Sequence, residues 1–167
     1  MILENILIYF VIIPLLMLAG LAVCRNMNQI RTVMTVLSTI LLGLSIYLCV
    51  DFLAIRAAGN VEPMLYMASW NWYEPLNIKL SLGVDGISVL MIMLSAIIVF
   101  AGTFASWKIS PLPKNFFLWF ALLSMGVFGF FISIDIFTMF MFYEVALIPM
   151  YLLIGVWGTG RKEYSAM

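Results

Sequence analysis

Long apolar runs dominate the hydropathy pattern of this chain, and shorter polar segments separate them. A membrane-spanning helix needs about 20 mostly apolar residues, and five runs reach that length. They lie at about residues 6–24, 32–50, 86–107, 116–134 and 136–157. The pattern therefore predicts an all-α membrane protein whose transmembrane region extends over residues 1–167, with about five transmembrane helices.

The polar segments between these runs differ in length. Residues 25–31 form a short connection, residues 108–115 form a short basic turn, and almost nothing separates the last two runs, which predicts a tight helical hairpin. The longest connection is an outer loop at residues 51–85, where the aromatic cluster of residues 70–73 suits a bilayer interface. Within this loop, polar and apolar residues alternate over residues 76–82, which predicts a short strand.

Basic residues are distributed unequally between the two sides of the predicted membrane region. The first side carries six: Arg25, Arg31, Lys108, Lys114, Arg161 and Lys162. The other side carries only Arg56 and Lys79, together with six acidic residues. Basic loops remain on the cytoplasmic side, so we expect the N-terminus outside and the end at residue 167 on the cytoplasmic side. The first run lacks the basic start of a cleavable signal peptide.

Composition narrows the possible functions. Hydrophobic residues make up 65% of the chain and charged residues 10%, whereas soluble domains have about 45–50% and about 25%. The formal net charge is zero, which gives no reason to expect a nucleic-acid partner. The chain has no His, and Cys24 and Cys49 lie within or beside apolar runs, where they are interpreted as small hydrophobic residues. We therefore expect no metal and no redox cofactor in this chain.

The candidate functional residue is Glu144, which lies inside the fifth apolar run. A charged side chain at mid-bilayer costs about 2.5–3.5 kcal/mol on insertion scales, and such residues commonly serve ion or proton movement. No Lys or Arg of the chain is predicted at the same depth, so a cationic partner has to come from another helix or another subunit. The alternative is a protonated Glu144 that only hydrogen-bonds between helices.

Three nearby features have structural and functional interpretations. Pro149 frees the carbonyl of Val145, which indicates either an ordinary kink or a hydrated pocket beside Glu144. Asp135 is predicted to cap the fifth helix, with a role in proton entry as the alternative. Asp85, between two glycines, is predicted to cap the third helix, because the segment lacks the context of a nucleotide-binding loop.

The fifth run also carries a recognisable signature. Residues 142–158 read Phe-Tyr-Glu-Val-Ala-Leu-Ile-Pro-Met-Tyr-Leu-Leu-Ile-Gly-Val-Trp-Gly, and Arg161 and Tyr164-Ser165-Ala166 follow. This stretch resembles the fifth helix of the antiporter-like membrane subunits of respiratory complex I (NADH–quinone oxidoreductase), above all of chain M, or subunit 4. Residues 83–88 resemble the segment that leads into the family's third helix. The resemblance covers most of the chain and is strongest from about residue 80.

The resemblance implies a fold and a function. Family members have about fourteen helices, including two inverted five-helix repeats, so this chain resembles their N-terminal part. The family's glutamate on the fifth helix corresponds to Glu144, and its partner lysines on later helices have no counterpart here, so the 167 residues alone are not expected to pump. The implied partners are other membrane-arm subunits of the complex and the lipid bilayer. NAD, FMN, iron–sulfur clusters and quinone are implied in partner subunits, where NADH oxidation and quinone reduction take place, and the implied location is the bacterial inner membrane.

Three hypotheses follow. The first is a proton-translocating membrane-arm subunit that couples NADH oxidation and quinone reduction to proton pumping. The second is the homologous subunit of a multisubunit cation/proton antiporter or a membrane-bound hydrogenase. The third is a membrane scaffold in which Glu144 only joins helices, and it predicts that Glu144→Gln is tolerated.

Overall fold

The computed structural model of the protein describes residues 6–24, 26–59, 61–73, 78–110 and 112–158. These residues form five membrane-length helices and one small hairpin. The helices are α1 (Tyr9–Val23, preceded by a 3-10 turn at Ile6–Ile8), α2 (Met27–Ala57), α3 (Gly86–Ala105), α4 (Pro113–Ile132) and α5 (Ile136–Trp157), and the strands are β1 (Leu65–Tyr73) and β2 (Ile78–Val84). All five helices are long and apolar enough to cross a membrane, α1 together with its 3-10 turn as the span Ile6–Val23. The predicted fold class is confirmed.

The second helix is longer than its apolar run. Hydropathy predicted a helix at residues 32–50, whereas α2 has 31 residues, Met27–Ala57. The added turns carry polar residues such as Gln29 and Arg56, which lower the hydropathy but leave the backbone hydrogen bonding of a helix intact. The segment at residues 51–85, predicted as a loop, therefore begins with about two turns of helix.

The helix α4 is the centre of the packing. It contacts α1, α2, α3 and α5, and it also reaches β2. Its buried residues include Phe117 and Phe128, and the ring of Phe128 lies 5.6 Å from the ring of Phe10 in α1. By contrast, α5 packs mainly against α4. Only 11% of the α5 span is buried within the chain, against 28–39% of the other four spans.

The predicted short strand is present as β2, which pairs with β1 in an antiparallel hairpin. The pairing shifts between Leu65 and Ala68, where β1 has one extra residue, and Tyr66 there has a φ of 57°. Glycine is the usual residue at such a left-handed bulge position, so this backbone conformation is strained for tyrosine. The aromatic Trp72 of the hairpin contacts Phe137 at the start of α5, with ring centroids 6.2 Å apart.

Two basic side chains join helix ends on one side of the bundle. Lys114 donates hydrogen bonds to the carbonyl oxygens of Cys24 (2.7 Å) and Ala22 (3.3 Å) at the end of α1. Arg31 donates to the carbonyl of Trp107 (2.7 Å), and its guanidinium carbon lies 5.2 Å from the centre of the Trp107 ring. The two basic connections predicted to share a side therefore lie together. Arg25, Pro111, Arg161 and Lys162 lie outside the described residues.

Candidate functional site

The helix that carries Glu144 begins at an acidic cap. The carboxylate of Asp135 accepts hydrogen bonds from the backbone N–H groups of Phe137 (3.0 Å) and Thr138 (3.4 Å). These are two of the donors that a helix N-terminus leaves without an intrahelical partner. The cap prediction for Asp135 is confirmed, and the backbone of α5 is fixed at its N-terminal end.

The contact between α4 and α5 is unusually close, and two glycines of α4 make it possible. A Cβ atom built on Gly126 would lie 2.7 Å from the backbone nitrogen of Ala146 and 2.9 Å from its Cα atom. A Cβ atom built on Gly129 would lie 2.2–2.5 Å from three ring atoms of Phe142. Small residues let helices approach in this way in membranes. These four residues are called the glycine seam below.

The position of the glycine seam determines where Glu144 points. At about 100° per residue, the direction midway between Phe142 and Ala146 lies about 180° from Glu144 on the helix circumference. In agreement with this angle, Phe142 is buried against α4 and Glu144 is exposed. Glu144 therefore projects from the face of α5 that the other described residues leave uncovered.

The part of the chain that the structure describes gives Glu144 no hydrogen-bond or ion-pair partner. Its described basic residues lie in connections, in β2 or near helix ends; they are Arg31, Arg56, Lys79, Lys108 and Lys114. Glu144 itself is eight residues from the start of α5, about 12 Å along the helix axis. A carboxylate thus lies at membrane depth, on an uncovered surface, without a counterion from the described residues.

Apolar side chains surround this carboxylate on α5. Phe140 and Ile148, one turn before and one turn after Glu144, are 60% and 59% exposed. A separate cavity of about 210 Å³ lies between α4 and α5, and α5 contributes Tyr143, Ala146, Leu147 and Met150 to its lining. Pro149 is buried, and α5 continues through it without interruption. The hydrated pocket suggested by Pro149 stays a prediction.

Two further polar groups lie at the hairpin end of the bundle. Asp85 caps α3 by accepting a hydrogen bond from the Ser88 backbone N–H (2.7 Å), as predicted, and the hydrogen bonding from Ser88 lowers the pKa of Asp85. Tyr66 donates a hydrogen bond to the carboxylate of Asp51. Burial, followed by this bond and the nearby carboxylate, raises the pKa of Tyr66. Both groups anchor secondary structure rather than approach Glu144.

The sequence analysis identified Glu144 but not the residues that orient it. The pair Gly126 and Gly129 was visible as two small residues three positions apart in an apolar run, a spacing that places both on one helix face. The bond between Asp51 and Tyr66 had no sequence signal, because fifteen positions and a strained turn separate the two residues. Among the described residues, no group of three or more His, Cys, Asp or Glu could hold a metal ion.

The fold and the location of Glu144 define the class: a multi-pass, all-α membrane protein with a carboxylate inside its fifth span. The same fold occurs in a chain of the membrane-bound sulfane sulfur reductase, an archaeal respiratory membrane complex. The TM-score is 0.73 at 18% sequence identity, and the match covers 98% of this chain and 33% of the other.

Sequence comparison identifies closer relatives, although no model of a protein family matches the chain. The chain is homologous to chain 4 of NAD(P)H-quinone oxidoreductase from Picosynechococcus (35% identity over 99 residues), Chara vulgaris chloroplasts (37% over 101 residues) and Anthoceros angustus chloroplasts (40% over 98 residues). These matches cover 58–60% of this chain and 18–20% of the relatives' length. The resemblance to subunit 4 of the quinone oxidoreductase is thus confirmed.

Proposed function

We propose that this chain belongs to a membrane-arm subunit of an NADH–quinone or NAD(P)H–quinone oxidoreductase. We further propose that Glu144 takes part in proton translocation by that subunit. The observation that carries the proposal is the setting of Glu144: an acidic side chain at membrane depth, exposed on α5 and without a partner among the described residues. The homology to chain 4 subunits supports the same conclusion.

The setting of Glu144 suggests how it acts. A carboxylate is too costly to face lipid, so the uncovered face of α5 has to meet protein or water in the assembled complex. A cation brought close to a buried carboxylic acid favours its ionised form, and withdrawal of that cation favours the protonated form. A partner that moves a cation toward and away from Glu144 would make it release and rebind a proton. Moving one charge against 100 mV takes about 2.3 kcal/mol.

The proposed function also implies the partners, the cofactors and the membrane location of the chain. The redox reaction and its cofactors, namely NAD, FMN, iron–sulfur clusters and quinone, belong to partner subunits, and the chain supplies no redox group of its own. It lies in a bacterial inner membrane, with its N-terminus outside and residue 167 on the cytoplasmic side. Other membrane-arm subunits are its partners.

The test is proton pumping driven by NADH in membrane vesicles that carry the complete complex with Glu144→Gln. The amide keeps the size and hydrogen bonding of the side chain but cannot exchange a proton, so we expect loss of pumping with a normally assembled complex on a native gel. Glu144→Asp keeps the carboxylate and should retain partial pumping. Asp135→Asn is the matched control, because Asn also caps helices well and the change removes a carboxylate from the same helix.

The outcomes separate the hypotheses. Unchanged pumping by Glu144→Gln would leave Glu144 as a structural hydrogen-bonding group and the protein as a scaffold. The second candidate is a subunit of a cation/proton antiporter or a membrane-bound hydrogenase. The fold shared with a chain of the sulfane sulfur reductase complex indicates that this fold also occurs outside quinone oxidoreductases. For the second candidate, vesicles would move protons without NADH-dependent quinone reduction, and flavin subunits would be absent from the purified complex.

A further inference from the structure

We infer that Gly126 and Gly129 are positioning residues for Glu144, acting through the rotation and the distance of α5 relative to α4. The inference rests on the proposed function of Glu144, but its structural half can be measured separately. It starts from the location of Glu144 about 180° from the glycine seam on the circumference of α5. When α5 rotates or shifts at its contact with α4, Glu144 on the opposite side of the helix therefore moves with it.

The two glycines hold α5 in different ways. At Gly126, the nearest atoms to an added Cβ include the backbone nitrogen and Cα of Ala146, at 2.7 Å and 2.9 Å. Backbone atoms cannot rotate away as a side chain can, so a methyl group at Gly126 displaces the whole helix. Ordinary contacts begin at 3.4 Å, and relief of the 2.7 Å contact would move α5 away by about 0.7 Å in this close-packed interior.

At Gly129, the three nearest atoms all belong to the ring of Phe142. This ring is only 8% exposed, so it has little free space into which it can turn. A methyl group at Gly129 would push the ring, and with it the adjoining turn of α5. Removal of the ring would remove these three nearest contacts, whereas no side-chain change in α5 can remove the backbone contacts at Gly126.

Little else in the described chain restrains α5. Its ends are held by the Asp135 cap and by the contact between Phe116 and Trp157, whose ring centroids are 5.4 Å apart. Its middle depends on α4, because the opposite face is uncovered. The glycine seam therefore sets the position and direction of the Glu144 side chain relative to its partner. Small displacements of reacting groups cost up to about 10²-fold in rate.

The experiment uses vesicles with the complete complex and two measurements. The first is proton pumping per NADH oxidised, recorded across a range of pH. The second is the rate at which a hydrophobic carbodiimide modifies Glu144, measured by mass spectrometry. This rate reports on the surroundings of the carboxylate whether or not the complex pumps. The variants are Gly126→Ala and Gly129→Ala. Gly43→Ala in α2 is the control, because a Cβ atom there meets nothing within 4 Å and the position is not part of α5.

We expect both seam variants to assemble and to pump about tenfold less. They should also show a shifted pH profile and an altered modification rate, whereas Gly43→Ala should be unchanged in all three. The double variant Gly129→Ala/Phe142→Ala should restore both the proton pumping and the modification rate of Glu144 toward the wild-type values. Gly126→Ala/Ala146→Gly should not, because the backbone clash persists. If Gly126→Ala fails to assemble, the Gly129→Ala series alone decides.

Two results would be decisive against a role for the seam or for Glu144. Wild-type pumping, pH profile and modification rate in assembled seam variants would overturn the positioning role. An altered modification rate in the seam variants, together with normal pumping by Glu144→Gln, would support the positioning of Glu144 and overturn its proposed function instead.

Discussion

The phenol of Tyr66 donates a hydrogen bond to the carboxylate of Asp51, and this bond fastens the hairpin to α2. Tyr66 occupies the left-handed position of a β-bulge, with a φ of 57°. The bond compensates for the strain that a tyrosine experiences there. The hairpin also reaches the turn between α4 and α5, where the backbone N–H of Ile134 donates to the carbonyl of Ser81 (3.0 Å). It thus connects α2 with the base of the helix that carries Glu144.

Tyr66→Phe should destabilise the protein by about 1–2 kcal/mol, because it removes a hydrogen bond to a charged group and leaves Asp51 without that donor. The measurement is the free energy of unfolding in mixed detergent micelles. Tyr47→Phe is the control, since the Tyr47 side chain is 59% exposed and exposed substitutions usually change stability by less than about 0.5 kcal/mol. Equal effects of the two changes would contradict a stabilising role for the bond.

Asp85→Ala should lower stability by about 1 kcal/mol at neutral pH, because α3 loses its N-cap. Since the pKa of Asp85 is lowered in the folded protein, its contribution is complete above the unfolded value of about 3.9 and declines as the pH falls through the folded value. The difference between wild type and variant should therefore shrink in acid. Asp85→Asn should keep most of the cap without this pH dependence, and a constant difference at all pH values would count against the assignment.

Lys114→Met should weaken the packing of α1 on α4 by about 1 kcal/mol, because the end of α1 loses a charged donor to its last carbonyl groups. The free energy of unfolding of the purified subunit in detergent tests this expectation. Lys108→Met is the matched control, because Lys108 is exposed and lies in the connection just before α4. The prediction fails if the two variants unfold alike.

Glu144→Leu should make insertion of α5 into a membrane more favourable by about 3 kcal/mol, the difference between an acidic and an apolar residue near the centre of a span. A glycosylation-reporter assay of α5 insertion measures this difference, with Ile148→Leu as the control. The same variant should not pump in the complete complex. Membrane insertion and proton pumping thus favour different residues at this position. An unchanged free energy of insertion would mean that Glu144 lies outside the hydrocarbon region.

Hydropathy was sufficient to predict the five helices, because burial of about 20 apolar residues in lipid is a property of local sequence. It underestimated α2, because the polar residues at both ends of that helix lower hydropathy without interrupting its backbone hydrogen bonds. The caps at Asp85 and Asp135 were also predictable, since each depends only on neighbouring backbone N–H groups. All of these features are encoded within a few residues.

The direction of Glu144 was not predictable in the same way. The isolated acidic residue identified the candidate site, but its exposed position follows from the contact of Gly126 with Ala146 and of Gly129 with Phe142. Each of these pairs joins residues thirteen or more positions apart on two different helices. A hydropathy pattern contains no information on which faces of two apolar helices meet, so this part of the site required the structure.

The two faces of α5 have different genetic consequences. A damaging substitution at Gly129 creates a clash within this chain, so its second-site suppressors should map to the same chain, at Phe142 above all. A damaging substitution at Phe140 or Ile148 acts on the uncovered face, and its suppressors should map to the polypeptide segment that covers that face. A suppressor screen that starts from these positions would therefore identify the helix that meets Glu144 from genetic data alone.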